Sequence, residues 1–404
     1  MRDSDLRRAL LGVPPPDEVN AQRRAWRLTR AAFDEREPTA WPRRHARPLV
    51  AAAAGLAVVA AVLSSPGRAV IKDVREAIGT TEKVAGVPNA KPALFSLPAD
   101  GRVLVTAPRG VWVVNANGSR RRLGDYDEAS WSPHGLHVVA SSRSQLVALT
   151  PKGEVRWAIA RPRVHDARWS PSGFRVAYLS GANLRVVAGD KTGDRRVDSA
   201  AKVAPAWRPG EEHVLAYVTG GSNLTVMQTD NSQTLWSARI PGIPLHLEWS
   251  SDGSRLLSVT SLEDGGFTLA VYDEGGRRLQ SLVFPGRFAA AAFAPNDHRI
   301  ALVRGMTNLK GEASELLVVD GDSIRRQEPV FSGKGRFSDV AWSPGGRWFL
   351  VGWPSADQWL FIRSTDVEKV KAVSSLAQQF DPGGTGAGAF PRIEGWCCLE
   401  PAGQ

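Results

Sequence analysis

A turn of the form Trp-Ser-Pro-x-Gly recurs along this chain, and its spacing restricts the fold more than any other feature. The copies are Trp131-Ser-Pro-His-Gly135, Trp169-Ser-Pro-Ser-Gly173, Trp207-Arg-Pro-Gly210, Trp249-Ser-Ser-Asp-Gly253, Phe293-Ala-Pro-Asn-Asp297 and Trp342-Ser-Pro-Gly-Gly346. They start 38, 38, 42, 44 and 49 residues apart, and Leu97-Pro-Ala-Asp-Gly101 is a degraded seventh copy without its Trp. Proline presets φ and glycine accepts the φ that other residues resist, so each copy joins two strands in a tight hairpin. A period of this size is that of a β-propeller, in which one repeat is one four-stranded blade.

The rest of each repeat agrees. A second apolar run follows each turn, as at Val111–Val114, Leu146–Leu149, Leu184–Val187 and Leu269–Tyr272. A turn-rich tetrad and a more polar segment, such as Arg120–Leu123 or Val155–Ile159, complete the unit. The expected fold is all-β, a seven-bladed propeller with six or eight blades as the neighbouring counts, over residues 93–377.

Residues 1–48 are basic, and Asp17–Glu37 reads as a helix with a thin apolar stripe. Residues 49–65, LVAAAAGLAVVAAVLSS, carry no charge and are bounded by Arg43, Arg44 and Arg47 on one side and Pro66-Gly67 on the other. Seventeen such residues are at the short end of a single transmembrane helix. The excess of Arg on the N-terminal side favours a cytoplasmic N-terminus and an extracytoplasmic propeller. Residues 66–92 read as a juxtamembrane helix and linker, and 378–404 as a Gly-rich C-terminal tail whose apolar end, Phe390–Cys398, docks on the propeller.

The Trp-Ser-Pro-x-Gly turns, followed by alternating strands such as Arg175-Val-Ala-Tyr-Leu179, resemble the WD40-like repeats of TolB-type β-propellers over about residues 93–375. The resemblance implies the propeller fold and a role in protein–protein contacts. Phe293 in place of Trp and Arg208 in place of Ser depart from the pattern. A membrane anchor ahead of the propeller is not the usual layout of that family, so its partners do not carry over.

Motifs of chemistry are sparse. The sequence has no Gly-x-Ser-x-Gly elbow, no phosphate loop and no spaced Cys/His zinc pattern. Asp190-Lys-Thr-Gly-Asp194 spaces its oxygens like the start of a calcium loop, but Arg195-Arg196 follows, so a hairpin turn is expected. The repeat tryptophans, with Trp157 and Trp236 on the fourth strands, read as packing between blades. His134, His137, His165, His213, His246 and His298 show no ligand spacing. Cys397-Cys398 is either a vicinal disulfide or two buried thiols. No enzyme activity, metal or cofactor is expected.

In an antiparallel meander the Trp turns share one face of the ring, and the second-to-third loops and the links between blades share the other. The longer insertions, Ser261–Gly266, Arg304–Ser314 and Phe331–Arg336, fall on that other face. Loops on a rigid scaffold concentrate function. The candidate binding residues are therefore Arg143, Arg163, Arg287, Lys310, Lys334 and Arg336, with Arg304 nearby and Glu263, Asp264, Glu312 and Glu315 in partial balance. Together with the net charge of +10, they point to a protein or anionic envelope partner, with no nucleic acid expected. The leading reading is a membrane-anchored, non-enzymatic binding scaffold. The alternatives are a transmembrane sensor that signals to the cytoplasmic helix, as in anti-sigma-factor-like layouts, and an enzyme with an axial site.

Overall fold

The structure is a computed structural model, and it describes residues 96–398 except 201–202, 264, 309–310, 324–328 and 383–389. The expected N-terminal helix, the span at 49–65 and the juxtamembrane helix lie outside the described residues.

Seven four-stranded antiparallel sheets follow one another around a ring. In blade 3 the inner strand Val164–Trp169 turns through Ser170–Gly173 into Arg175–Ser180, and then into Asn183–Ala188 and the outer strand Arg195–Ser199. Each inner strand touches the inner strands of both neighbours, and the last, Val340–Trp342 of blade 7, meets Arg392–Cys397 to close the circle.

The period of the sequence becomes a period of cores. One apolar cluster fills each of the seven interfaces between neighbouring blades. Second strands are covered on both faces and are therefore apolar without alternation, as at Val176–Leu179 and Val214–Val218. Outer strands have one wet face and alternate, as at Gln233–Arg239.

The C-terminal tail differs from expectation. Arg392–Cys397 is the inner strand of blade 1, paired antiparallel to Arg102–Ala107, so the propeller runs past residue 377. Trp396 takes the place of the Trp missing from the Leu97–Gly101 copy, and its indole donates to the Asp100 carbonyl at 3.2 Å. Phe390, Ile393 and Trp396 are buried with Val103, Val105 and Phe361. Cys397 and Cys398, joined as a vicinal disulfide, stand where Ser and Pro follow Trp in the other turns. A short helix, Leu376–Phe380, covers the same core.

The Arg304–Ser314 insertion, expected as a loop, is a continuation of the sheet. In blade 6, Arg299–Asn308 and Gly311–Asp320 pair over their full ten residues, the longest hairpin among the described residues.

Candidate binding faces

The meander places the Trp turns and the third-to-fourth turns on one face of the ring, called here the turn face. The second-to-third turns and inter-blade links form the loop face. The candidate cations occupy the loop face in two groups that do not meet.

Arg143, in the second-to-third turn of blade 2, and Arg163, in the link to blade 3, are neighbours: the Arg163 amide donates to the Arg143 carbonyl at 2.5 Å. Arg163 has a φ of +52°, and its guanidinium lies where a side chain on Gly181 would stand. The second group gathers around blade 6. Arg287 opens its inner strand, Lys334 ends its outer strand, and Arg336 lies in the link to blade 7. Lys310 lies outside the described residues, as does Asp264.

These cations differ in how far they are neutralised. Arg336 holds Glu312 through two hydrogen bonds of 2.9 and 2.8 Å, which keep the Glu312 carboxyl below its ordinary range. Arg304 is not part of a free basic surface. It binds Glu315, whose side chain is 2% exposed, at 2.6 and 2.9 Å, and its guanidinium lies over the Phe284 ring. Arg287 and Lys334 are exposed, and their side chains make no hydrogen bond or salt bridge among the described residues.

A cleft of about 810 Å³ opens beside Arg287, between blades 5 and 7. Leu245, Leu262, Phe288 and Met306 give it apolar walls, and Gly265, Gly266, Gly286, Gly305 and Gly335 keep it wide. The sequence singled out the two arginines on its rim, Arg287 and Arg336, but not the apolar wall. Leu245 and Phe288 belong to inner strands whose register is shifted by bulges, which breaks the alternation that would have marked them as facing outward.

The axis carries acidic groups, and they are structural. Glu128 accepts the Asp166 amide at 2.7 Å, Glu248 accepts the Phe293 amide at 3.1 Å, and Asp339 accepts the Ile393 amide. In each case a carboxylate on, or just before, one inner strand caps the free edge of the next. Desolvation, reinforced by Glu394, pushes Asp339 up to about 6. His246 pairs with the cap Glu248 at 3.2 Å and so orients it, while His165 pairs with the Asp166 carboxylate at 2.8 Å. Among the described residues, no group of three or more His, Cys, Asp or Glu could hold a metal ion.

The turn face is tied together across blades. Trp207 donates to the Arg168 carbonyl at 3.0 Å and Trp342 to the Ala292 carbonyl at 2.9 Å, as packing tryptophans do. Trp157 and Trp236 reach the next blade's turn at Gly189 and Glu274. Asp190 accepts the amide and hydroxyl of its own Thr192, while Asp194 is held by Arg161, Arg185 and Tyr178, so this stretch is a turn. His298 bridges Asp252 of blade 5 and Asp322 of its own blade at 3.0 and 2.8 Å, contacts that hold its pKa above the ordinary histidine value despite partial burial.

No protein-family model matches the chain, and no curated protein matches its sequence. Many solved structures do match. Hydrazine synthase of Kuenenia stuttgartiensis is 13% identical over 58% of this chain and 75% of its own, with a TM-score of 0.49. The β-propeller domain of Myceliophteria thermophila Cps50 (Swd1) is 13% identical over 69% of this chain and 98% of its own, with a TM-score of 0.47. At that distance neither carries an argument about function. The chain is a seven-bladed β-propeller on its own blade count and sheet order.

Proposed function

We propose that this chain is a non-enzymatic binding scaffold of the cell envelope, held in the membrane by residues 49–65 with the propeller extracytoplasmic, and that its partner docks on the loop face at the blade 5–7 cleft. One observation carries the reading: the cleft combines apolar walls with an exposed guanidinium, Arg287, that has no ion-pair partner among the described residues. A cation beside apolar surface is the composition of a contact patch with its polar rim. The partner this chemistry suits is a protein or an anionic envelope component.

Two experiments test the reading. A photo-crosslinking residue placed at Thr307, beside the cleft, in the full chain in its native membrane should yield an adduct, while the same residue at the exposed Phe174 of the turn face should not. Adducts at Phe174 alone, or at neither position, would sink the docking assignment. For the topology, protease added to spheroplasts should trim the propeller and leave residues 1–48 intact. The reverse pattern would invert the orientation.

A further inference from the structure

We infer that the free edge of the blade 6 hairpin at Thr307 is a docking strand, and that the occupant of the cleft is an extended acidic peptide that adds to this edge. The inference rests on the loop-face reading and gives it a binding mode.

The inner strand of blade 6 stops at Arg287, opposite Gly305, but the hairpin continues through Thr307↔Glu312 and Asn308↔Gly311. On the other side of the hairpin the chain is occupied: the Gly335 amide donates to the Glu312 carbonyl at 2.7 Å. That carbonyl therefore points away from Thr307. In an antiparallel ladder hydrogen-bonded and non-hydrogen-bonded pairs alternate, so Thr307 and Glu312 form a non-hydrogen-bonded pair. The Thr307 amide and carbonyl must then point outward, on the side where the inner strand has ended. No described residue bonds either of them.

A bare edge on a protruding hairpin is normally blunted by charge, proline or a covering loop. No proline and no covering loop lies over this one among the described residues, and the charge beside it, Arg287 against Gly305, is the one the occupant would meet. The link beneath it passes through Gly286, at a φ of +88°, where a Cβ would collide with the Gly305 carbonyl oxygen. The same glycine brings no side chain of its own beneath the edge, where the Met306 side chain lies 3.3 Å from the position its Cβ would take. An added strand would continue the line of the inner strand, with alternate side chains directed at Leu245, Leu262 and Phe288 in the cleft.

Charge and backbone chemistry select the occupant. Glu312 is hydrogen-bonded by Arg336 and lies only within the longer-range field of Arg287. Arg287, which makes no hydrogen bond or ion pair among the described residues, is therefore the cation best placed for a ligand, with Lys334 exposed nearby. A polyanion can use Arg287 but cannot satisfy an outward N–H and an outward C=O side by side. A peptide backbone supplies both, at strand spacing. An acidic side chain on the peptide then reaches Arg287, and its apolar neighbours fill the cleft.

The test uses the full chain in detergent and a fluorescent six-residue peptide that alternates aspartate and valine, read by anisotropy. Three comparisons accompany it: the same peptide with N-methylated amides, the protein with Thr307→Pro, and the protein with Arg287→Glu. Thr307→Pro removes the outward N–H, a position at which an edge strand tolerates proline. The expected result is measurable binding of the plain peptide that falls at least tenfold in each comparison. N-methylation needs no protein variant, so a misfolded Thr307→Pro protein would not rescue the idea. Equal binding of plain and N-methylated peptides, with loss only in Arg287→Glu, would overturn strand addition and leave the loop-face anion reading standing. Binding unchanged in all three comparisons, or no binding of the plain peptide, would overturn the peptide assignment. Self-association abolished by Thr307→Pro in the absence of peptide would make a second copy of the chain the occupant and overturn the proposal.

Discussion

The turn face and the loop-face cleft at blade 6 are built from the same kind of strands and use their charges differently. On the turn face, charges and donors reach the neighbouring blade: Arg102 to Gly135, Arg175 to Asp230, Arg208 to Gly253 and Glu274, His298 to Asp252, and Asn296 to Gly345. On the loop face around the cleft the ion pairs stay within blade 6 and the link that leaves it, Arg304–Glu315 and Arg336–Glu312. Elsewhere on that face Arg109–Asp381 and Arg161–Asp194 do join a link to the next blade. The difference follows from length. Four-residue turns all end at one height, so a side chain on one finds the next turn within reach. Links and insertions of unequal length end at different heights and leave groups such as Arg287 and the Thr307 edge without a mate. The turn face therefore holds the blades in register, and the loop face is where the surface is free to bind something else.

The largest test of this contrast is to break the closure of the ring. Deleting residues 390–404 removes Phe390, Ile393 and Trp396 from the blade 7–blade 1 core and bares the edge of Arg102–Ala107. At about 1.5–3 kcal/mol for each of these three large apolar side chains, the loss should be about 4.5–9 kcal/mol. Thermal unfolding should lose its cooperativity and protease should cut blade 1 first. A deletion variant that melts like the full chain would show that the ring does not depend on its closing strand.

The second test compares two loop-face cations. Arg304→Met leaves Glu315 buried without its partner, which costs about 3–5 kcal/mol. Arg336→Met breaks an exposed pair and should cost under about 1 kcal/mol. Denaturant melts of the two variants check this, and equal losses would mean that burial does not separate them.

A smaller effect on stability, with a larger one on association, is expected from Arg287→Glu combined with Lys334→Glu and Arg336→Glu. Association with an acidic partner should weaken and lose its salt dependence while the melting temperature moves by only a few degrees. Salt dependence that survives the triple change would transfer the basic contact to Arg143 and Arg163.

The smallest effect tests the turn face. His298 is held above its ordinary pKa by Asp322 and Asp252, with Arg255 also on Asp322. A raised folded-state pKa means the stabilisation is complete below the unfolded value of about 6.5 and fades as pH rises through the folded one. The stability gap between the natural chain and His298→Ala should therefore be wider at pH 5.5 than at pH 8.5. A gap that does not change with pH would show that the bridge contributes no charge-dependent stability.

Much of this was legible in the residues. Six Trp or Phe turns at a period of about forty, with the degraded copy at Leu97–Gly101, gave the propeller and a count of seven to within one blade, and the seven sheets of the structure settled that count. The alternation of runs gave the four strands of each blade, and meander geometry alone sorted turns from links and put the candidate cations on one face. The closing strand was not legible. In Arg392-Ile-Glu-Gly-Trp-Cys397 the buried residues, Ile393 and Trp396, are three apart because a bulge lies between them, so the period-two signal is missing. Nor does a pairing between residues some 290 positions apart leave a local trace.

The candidate site divides in the same way. Local chemistry determined the repeat, the turns and the sign of the charge, since each depends only on which residues lie within a few positions of one another. Tertiary structure alone decided that Arg304 is buried on Glu315, that Arg336 is held by Glu312, and that Arg287 has no such mate. It also decided that the blade 6 insertion is a hairpin whose edge outruns the inner strand. The physical reason is that the availability of a charge or a backbone edge depends on whatever else stands within hydrogen-bonding reach of it. In a ring those neighbours come from other blades.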